Sequence, residues 1–317
     1  MNGEGNRRPL EGVSRHGEPA GGAPRPAPGL TDSHVHLDGL LAGGAALTDI
    51  LERARAGGVG RLLAVGGSPA ANRMAVDAAR RFPGAVRAAA GYDRHAEAPS
   101  DFDALDALLS LPEAAAVGEI GLDFSRGRDS AGRQQDLFHR QLDLAARRGL
   151  PVCVHTRAAE PETLAALRAQ AAAWRGAADR IGVLHCFTGG PVFARALLDL
   201  GFCISFSGIL TFKKSGGLRA VAAAIPASRL LIETDAPFLA PEPFRGKPCE
   251  PAHVRQVAEA LAAARGTTWE AIAELTGRNA GRLFWPEAPP AHPSRPPAEG
   301  AGAAPGRTDP QGPAGIS

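Results

Sequence analysis

The chain has 317 residues, of which 44% are hydrophobic and 21% are charged, and its formal net charge is +2. This length suffices for one large hydrophobic core or two ordinary ones, and the nearly balanced charge argues against a protein that binds polyanions through net charge alone. A nucleic-acid enzyme with a local basic rim around its cleft remains compatible with this composition.

The two ends of the sequence differ in composition from the middle. Residues 1–28 and 287–317 are rich in Gly, Pro and Ala and carry few large apolar side chains. Such segments bury too little apolar surface to offset the entropy of ordering, so we predict that both are disordered tails. The ordered body then comprises residues 29–286, close to the roughly 250 residues of a (β/α)₈ barrel.

Eight runs with the composition of β-strands follow one another in this body. They are Leu30–Val35, Arg61–Val65, Val86–Gly91, Ala115–Ile120, Pro151–His155, Ile181–His185, Phe202–Ser207 and Arg229–Glu233. Between them, apolar residues recur at helical spacing, as in Leu47, Ile50 and Leu51. Alternating strands and helices predict a parallel sheet of the α/β class. Eight units favour closure into a TIM barrel over the alternative, an open doubly wound sheet.

Two further helices are predicted after the eighth strand, where they would close the barrel or cover its base. Pro251–Arg265 carries Val254, Val257 and Leu261 on one face. Thr267 and Glu270 have the spacing of a capping box, which predicts the start of a helix over Trp269–Leu275.

The remaining general features predict a soluble cytoplasmic protein. No apolar run approaches the roughly 20 residues needed to span a bilayer, and the N-terminus lacks the apolar segment of a signal peptide. The four cysteines form no C-x-x-C pair, which predicts small reduced thiols rather than a structural zinc site. We therefore expect no membrane association, and the sequence indicates no protein partner.

Residues able to bind metal fall at or near the ends of the predicted strands. They are His34, His36, Glu119, His155, His185 and Asp235. In a parallel barrel the carboxyl ends of all strands open onto one face, where active sites are built. Each residue alone has an ordinary explanation, such as a buried core histidine or, for an aspartate, a helix cap. Together they predict one metal centre.

The chemistry of these residue types supports that hypothesis. Two imidazoles in a His-x-His sequence project from the same side of a strand, so His34 and His36 can reach one ion. Glu119 can bridge two ions, and His155 with His185 can complete a second site. Asp235 can bind metal and accept a proton from the attacking water. Four imidazoles and two carboxylates suit one or two ions of Zn or Mn, with Mg as the alternative.

Several segments resemble the motifs of one known family, the TatD family of metal-dependent hydrolases. They are TDSHVHL at 31–37, VGEIGLD at 117–123, LPVCVHTR at 150–157, HCFTG at 185–189, ETDAP at 233–237, and RGK at 245–247 followed by EP at 250–251. The resemblance covers nearly the whole body in the expected order. It implies an amidohydrolase-like barrel with one or two divalent ions, in which the six residues above are ligands. It also implies metal-dependent DNase activity.

The segment after the third strand departs from this family. The family's G-x-H-P-[HW] is here Gly91-Tyr92-Asp93-Arg94-His95. In nuclease members the first histidine lies near the substrate phosphate. We expect Asp93 to face the substrate, where it would repel a phosphate but could bind an amine, Arg94 to offset that charge, and His95 to serve as a substrate contact or proton donor.

The sequence predicts attack of metal-activated water on a phosphodiester of DNA or of a small molecule. Glu119 and Asp235 would serve catalysis with His95, and Arg157, Arg245 and Lys247 would steady the phosphate, with Lys213 or Lys214 beside them. Phe187 and Phe212, if exposed, could stack on a base or simply pack. One alternative is hydrolysis of an amide, ester or lactone at the same site, where Asp93 would read a cationic substrate. Another is a non-catalytic protein that binds metal or nucleic acid.

Overall fold

The computed structural model describes residues 29–95 and 101–286, and both predicted tails lie outside the described residues. Eight strands alternate with helices along the chain. The strands are β1 Leu30–Val35, β2 Val59–Val65, β3 Val86–Ala90, β4 Ala114–Asp123, β5 Val152–Arg157, β6 Gly182–Leu184, β7 Cys203–Phe206 and β8 Leu230–Ile232. The helices are α1 Leu37–Ala42, α2 Leu47–Ala56, α3 Pro69–Arg81, α4 Phe102–Leu109, α5 Ala131–Arg148, α6 Glu160–Ala173, α7 Pro191–Asp199, α8 Gly216–Ala224, α9 Val254–Arg265 and α10 Trp269–Phe284.

The eight strands form one parallel sheet in sequence order, from β1 to β8. A further parallel bridge joins Val35 at the end of β1 to Ala236, four residues beyond β8. The sheet therefore curls until its two edges meet at the carboxyl ends of the strands. This arrangement confirms the predicted TIM barrel and excludes the open sheet.

Strand lengths differ from the prediction around the candidate ligands. β4 and β5 run further than expected because their ladder continues through Gly121↔His155 to Asp123↔Arg157. Glu119 consequently lies in the middle of a strand rather than near its end. β6 and β8 are shorter than expected, so His185 and Glu233 follow their strands directly.

The close pairing of β4 with β5 depends on a glycine. The backbone of Gly121 has φ +141°, and a Cβ atom there would lie 2.0 Å from the carbonyl oxygen of His155. A residue with a side chain would therefore push β5 away from β4. The motif glycine lets a candidate ligand on β5 approach Glu119.

The inside of the barrel is filled by apolar side chains and sealed by α10. Leu63, Cys153, Cys203 and Leu231 pack inside with Phe284 of that helix. The Nδ2 of Asn279, also on α10, donates to the carbonyl oxygen at the start of β8. Hence α10 covers the end of the barrel where the strands begin, and the opposite end remains available for polar residues.

The cysteines were predicted to be small reduced thiols. All four cysteines are free thiols, three of them are buried, and Cys186 is partly exposed.

The capping box predicted from Thr267 and Glu270 is wrong. Thr268 is the N-cap, and its side chain accepts a hydrogen bond from Ala271 N. The helix begins at Trp269 as predicted, but the extended residue before it, Thr268, is the N-cap instead of Thr267.

The model also bears on the question of a membrane span. Among the described residues, none of the helices combines the length and the apolar composition that crossing a bilayer requires.

Candidate metal centre

The first two candidate ligands lie where β1 meets α1. His34 is on β1 and is buried, whereas His36 is the residue immediately after the strand. Because side chains alternate along extended backbone, both imidazoles project to the same side. Their Nε2 atoms are 3.3 Å apart. The His-x-His pair therefore converges as the sequence indicates.

Two carboxylates approach this pair from distant parts of the chain. Glu119 Oε2 lies 3.8 Å from Nε2 of His34 and 3.3 Å from Nε2 of His36. Asp235 Oδ1 lies 3.9 Å and 3.4 Å from the same two atoms. The backbone N–H of Asp235 donates to the carbonyl oxygen of His34 at 3.0 Å, which fixes the loop after β8 beside β1. We call these four side chains the first donor set.

The other carboxylate oxygen of Glu119 faces two more histidines. Glu119 Oε1 is 3.2 Å from Nδ1 of His155 and 3.5 Å from Nε2 of His185, and those two ring nitrogens are 3.3 Å apart. We call these three side chains the second donor set. Glu119 belongs to both sets, so one carboxylate from the middle of β4 joins all six candidate ligands into one cluster.

The spacing of the donor atoms fits a divalent ion. Ligand atoms bound at about 2.0–2.1 Å around a tetrahedral ion lie roughly 3.3 Å from one another. In the first donor set, the two imidazole nitrogens lie 3.3 Å from each other and 3.3–3.9 Å from the carboxylate oxygens of Glu119 and Asp235. Imidazole nitrogens mixed with carboxylate oxygens are ligands for Zn and Mn as well as Fe. The residues present therefore fit a bound transition metal.

Two further carboxylates contact the histidines from behind. Glu233 is buried, and its Oε1 lies 3.3 Å from Nδ1 of His185 while accepting the backbone N–H of Cys186 at 2.6 Å. Asp123 Oδ2 lies 3.6 Å from Nε2 of His155. Carboxylates in such positions fix the tautomer and orientation of a ligand imidazole.

Neither carboxylate was among the residues predicted for the site, although both stand in the quoted motifs. The spacing along the chain was the one indication that they belong to the site. Glu233 precedes Asp235 by two positions, and Asp123 follows Glu119 by four. In extended backbone such spacing places side chains on one face. Sequence reasoning passed over them because nothing along the chain tells which histidine they contact.

Burial and charge act against each other in this cluster. Burial alone would lower the pKa of His36, but the carboxylates of Asp235 and Glu119 outweigh it and raise the pKa to about 10. Burial acts likewise on His185, whose pKa Glu119 and Glu233 raise to about 10. Burial would raise the pKa of Glu119, yet its four histidine neighbours hold that pKa well below its usual range. The ionised carboxylates thus require positive charge, which protons on the imidazoles or a bound cation can supply.

Arg94 also reaches the cluster. Its Nη1 donates to Glu119 Oε1, and its Nε lies 3.7 Å from Asp123 Oδ2. The expectation that Arg94 would offset the charge of Asp93 is therefore wrong, because the guanidinium pairs with carboxylates of β4 instead. The guanidinium thus lies beside the buried carboxylate of Glu119.

A cavity of about 480 Å³ opens beside the donor sets. Its lining combines ligand candidates with polar and apolar neighbours. They are Arg94, Glu119, Asp123, His155, Thr156, Arg157, His185, Cys186, Thr188, Ile209, Asp235, Phe238 and Leu239. A substrate placed here would therefore contact Glu119 and Asp235, the two carboxylates of the first donor set. It would also contact two arginines, Arg94 and Arg157.

The residues predicted to contact substrate are divided by the fold. Arg157 lines the cavity. Arg245 and Lys247 are exposed on the loop after β8 and are not among the lining residues, and Arg245 lies 3.8 Å above the ring of Phe212. Lys213 lines a separate hollow. Arg245, Lys247 and Lys213 therefore do not line this cavity. They lie on loops, whose residues are not positioned by the register of the strands.

The substituted turn after β3 also differs from its expected role. Asp93 Oδ1 accepts the backbone N–H of His95 at 2.7 Å, and the Asp93 backbone N–H donates to the carbonyl oxygen of Gly67 at 2.9 Å. His95 is exposed, and neither residue lines the cavity. Asp93 therefore shapes the turn that presents Arg94. The predicted contacts of Asp93 and His95 with substrate stay predictions.

The structure distinguishes the two roles considered for Phe187. Phe187 is buried, with its ring 5.9 Å from those of Phe193 and Phe206, so it packs in the core and is not available for base stacking. Phe238 is 57% exposed, lines the cavity, and has its ring 5.9 Å from that of His36. Sequence reasoning missed it because nothing along the chain distinguishes an exposed loop phenylalanine from one that packs into the core.

Comparison with known proteins gives a consistent family relationship. The family model described as "TatD related DNase" matches residues 31–285. The metal-dependent hydrolase YcfH of Escherichia coli K12, whose activity is uncharacterised, is 40% identical over 257 residues, which are 80% of this chain and 95% of the relative. The 3'-5' ssDNA/RNA exonuclease TatD of Salmonella typhimurium LT2 is 35% identical over 243 residues, 74% of this chain and 92% of the relative.

A solved structure agrees with the fold. The crystal structure of YJJV, a TatD homologue from Escherichia coli K12, aligns with a TM-score of 0.71 and 29% sequence identity. The alignment covers 80% of this chain and 97% of that one. The similarity extends through the barrel that carries both donor sets.

Proposed function

The chain belongs to the TatD-related DNase family of metal-dependent hydrolases, and from this premise we propose that it hydrolyses phosphodiester bonds of single-stranded nucleic acid. The observation that carries the proposal is the convergence of His34, His36, Glu119 and Asp235 beside an open cavity. The same proposal includes the cytoplasmic location expected from the sequence, where such a substrate is present.

The first donor set is the proposed binding site of a divalent ion, Zn or Mn rather than Mg because imidazoles make up half of the ligands. When bound, the ion lowers the pKa of a coordinated water and stabilises charge on the phosphate oxygens. His34 and Glu119 are buried and bring their donor atoms to fixed positions. The structure therefore supplies a preorganised site that needs little rearrangement on binding.

Asp235 is the proposed general base. Burial would raise its pKa, but the hydrogen bond with His36 and the charges of neighbouring histidines hold the pKa below its usual value. The carboxylate is therefore ionised at neutral pH and can accept a proton. Because Asp235 also lines the cavity, it can receive that proton from a water that attacks the substrate there.

Two residues are proposed to bind the substrate. Arg157 stands at the end of β5, two positions after His155, and its guanidinium can pair with a phosphate. Phe238 offers an exposed ring at the cavity on which a base can stack. The combination of a cation and an aromatic face favours a nucleotide polymer over a small apolar ester.

The test is an assay of purified protein with Mn²⁺, Zn²⁺ or Mg²⁺ against end-labelled single-stranded DNA and RNA, duplex DNA, and a panel of small amides, esters and lactones. Metal-dependent shortening of single strands is expected. Asp235→Asn should lower the rate by at least about 10²-fold, the lower end of what general-base catalysis contributes. Asp199→Asn, on an exposed carboxylate paired with Arg195, is the matched control and should cleave at the wild-type rate.

Two results would contradict the proposal. Nuclease activity that persists in Asp235→Asn would come from a contaminant or from another mechanism. Hydrolysis of an amide, ester or lactone without cleavage of nucleic acid would support the alternative substrate class. Within the structure that alternative loses its original support, because Asp93 is engaged in the turn after β3.

A further inference from the structure

The second donor set contains a feature that the first lacks, a fixed cation. The side chain of Arg94 is only 19% exposed, and its Nη1 donates to Glu119 Oε1. This is the same oxygen that lies 3.2 Å from Nδ1 of His155 and 3.5 Å from Nε2 of His185. The guanidinium therefore competes for the oxygen that a metal ion in the second donor set would need.

The backbone around Arg94 holds the side chain in this position. The carboxylate of Asp93 accepts the N–H of His95, and the N–H of Asp93 donates to Gly67 O, which fixes the turn on both sides of Arg94. Beyond Glu119, the nearest charged partner of Arg94 is Asp123, on the same strand. The turn and the two carboxylates thus direct the guanidinium into the second donor set.

The first donor set is not affected in this way. Glu119 uses its other oxygen, Oε2, to approach His36 at 3.3 Å and His34 at 3.8 Å. Arg94 has no recorded contact with Asp235 among the hydrogen bonds and ion pairs of the described residues. The two halves of the cluster therefore differ in their capacity for a cation.

We propose that the guanidinium of Arg94 takes the place of a second metal ion, so that the centre binds one divalent ion tightly, in the first donor set. An arginine side chain stays protonated at all physiological pH values. Its positive charge neutralises Glu119 as a second ion would, and it repels a divalent cation brought to the same oxygen. The inference rests on the proposed metal binding but not on the proposed substrate.

The consequence for substrate binding follows from the position of the guanidinium. Arg94 lines the cavity together with Arg157, Glu119 and Asp235. A phosphate in the cavity would meet Arg94 where a second ion would otherwise stand. Arg94 thus determines how many ions the centre binds.

The experiment measures metal stoichiometry, which does not depend on activity. Full-length protein is stripped with a chelator, loaded with excess Zn²⁺ or Mn²⁺, freed of unbound ions by gel filtration, and analysed for metal per chain by mass spectrometry. One ion per chain is expected for the wild type and two for Arg94→Gln, which keeps an unbranched polar side chain but is shorter and removes the charge. Calorimetric titration should show the second ion binding at least about tenfold more tightly to the variant, or about 1.4 kcal/mol.

Two further variants sharpen the result. Arg128→Gln removes another, exposed arginine that pairs with a carboxylate, here Glu162, and should keep one ion. Asp93→His combined with Arg94→Pro restores the family motif in the turn and should bind two ions. Electron paramagnetic resonance of the Mn²⁺-loaded proteins adds an independent readout, with an isolated-ion signal expected for the wild type and an exchange-coupled pair for Arg94→Gln.

Each other outcome overturns the inference. Two tightly bound ions in the wild type would mean that Arg94 yields its position to a metal, and the proposed function would stand unchanged. One ion in both the wild type and the two turn variants would mean that something other than Arg94 prevents binding of the second ion. No bound ion in any of the proteins would refute the metal centre itself and the proposed function with it.

Discussion

At the scale of single residues, the site depends on side chains behind the ligands as much as on the ligands. Glu233 is buried and joins two partners, the imidazole of His185 and the backbone N–H of Cys186. A carboxylate in this position makes the imidazole a stronger ligand and fixes its tautomer. The six candidate ligands were evident from their residue types, whereas this supporting role became evident only from contacts across the barrel.

Replacing Glu233 by glutamine tests that role. The amide oxygen of Glu233→Gln can still accept from Cys186 N, so the fold should persist, but the negative charge beside His185 is lost. We expect a metal affinity about 10- to 100-fold lower, measured by competition with a chelator of known affinity. Glu259→Gln, on an exposed carboxylate paired with Arg255, should not change the affinity. An unchanged affinity in Glu233→Gln would show that Glu233 does not support the metal centre.

A second prediction at this scale concerns the exposed ring of Phe238. Stacking of one base on an aromatic side chain contributes about 1–3 kcal/mol. Phe238→Ala should therefore raise KM for single-stranded DNA by roughly 5- to 150-fold, with a smaller effect on kcat, in steady-state assays. Val192, which is 83% exposed on α7, provides the control, since Val192→Ala removes an exposed apolar side chain outside the cavity lining. Equal KM values for Phe238→Ala and the wild type would exclude base stacking on this ring.

At the scale of secondary structure, β4 is the element that organises the centre. It is ten residues long, carries Glu119 in its middle and Asp123 at its end, and pairs with β5 through Gly121 and His155. The strand therefore holds Glu119, which both donor sets share, and Asp123, which contacts His155. Because Gly121 of the same strand pairs with His155, that ligand is held in the same register. Composition alone predicted the strand but ended it at Ile120, because the pairing that extends it belongs to β5.

Gly121→Ala tests this register. The new Cβ would meet the carbonyl oxygen of His155, and the positive φ would be strained. We expect a loss of at least about 2 kcal/mol in the free energy of unfolding, measured with urea, together with weaker metal binding because His155 is displaced. Gly60→Ala on β2, where a Cβ would meet nothing within 4 Å, should cost much less. Equal losses in the two variants would mean that β4 and β5 tolerate the separation.

At the scale of the whole molecule, the centre connects the first strand to the last. The first donor set draws on β1, β4 and the loop after β8, so its residues run from His34 to Asp235. The hydrogen bonds from Thr234 to Asp32, which belong to the same two regions, bring the sheet edges together beside the ligands. A bound ion would therefore hold the closed barrel together and be absent from the unfolded chain.

This connection predicts that metal stabilises the fold. At a free ion concentration of about 100 times Kd, binding to the folded state alone contributes about 2.7 kcal/mol. For a body of this size that corresponds to a rise in Tm of roughly 5–10 °C, measured by calorimetry with and without Zn²⁺ or Mn²⁺. A chelator should reverse the rise. In His34→Ala the rise should be largely abolished, and a full rise in that variant would place the ion elsewhere.

The sequence by itself determined the class of fold and the inventory of the site. The alternation of eight apolar runs with helical segments predicted the barrel, because burying one face of each element imposes that periodicity. The rule that strand ends share one face then predicted which residues would meet, and all six do. The disordered tails and the cytoplasmic location stay predictions of composition.

Only the tertiary structure decided which atoms pair within the site and what the loops contribute. Arg94 was expected to offset Asp93 but contacts Glu119. Arg245 lies over Phe212, and its contact with a phosphate stays a prediction. The physical reason is that strand register fixes side chains of β-strands to within a short distance, whereas a loop side chain settles on the nearest partner that the folded surface offers. That partner comes from a remote part of the chain, so no local pattern of residues encodes it.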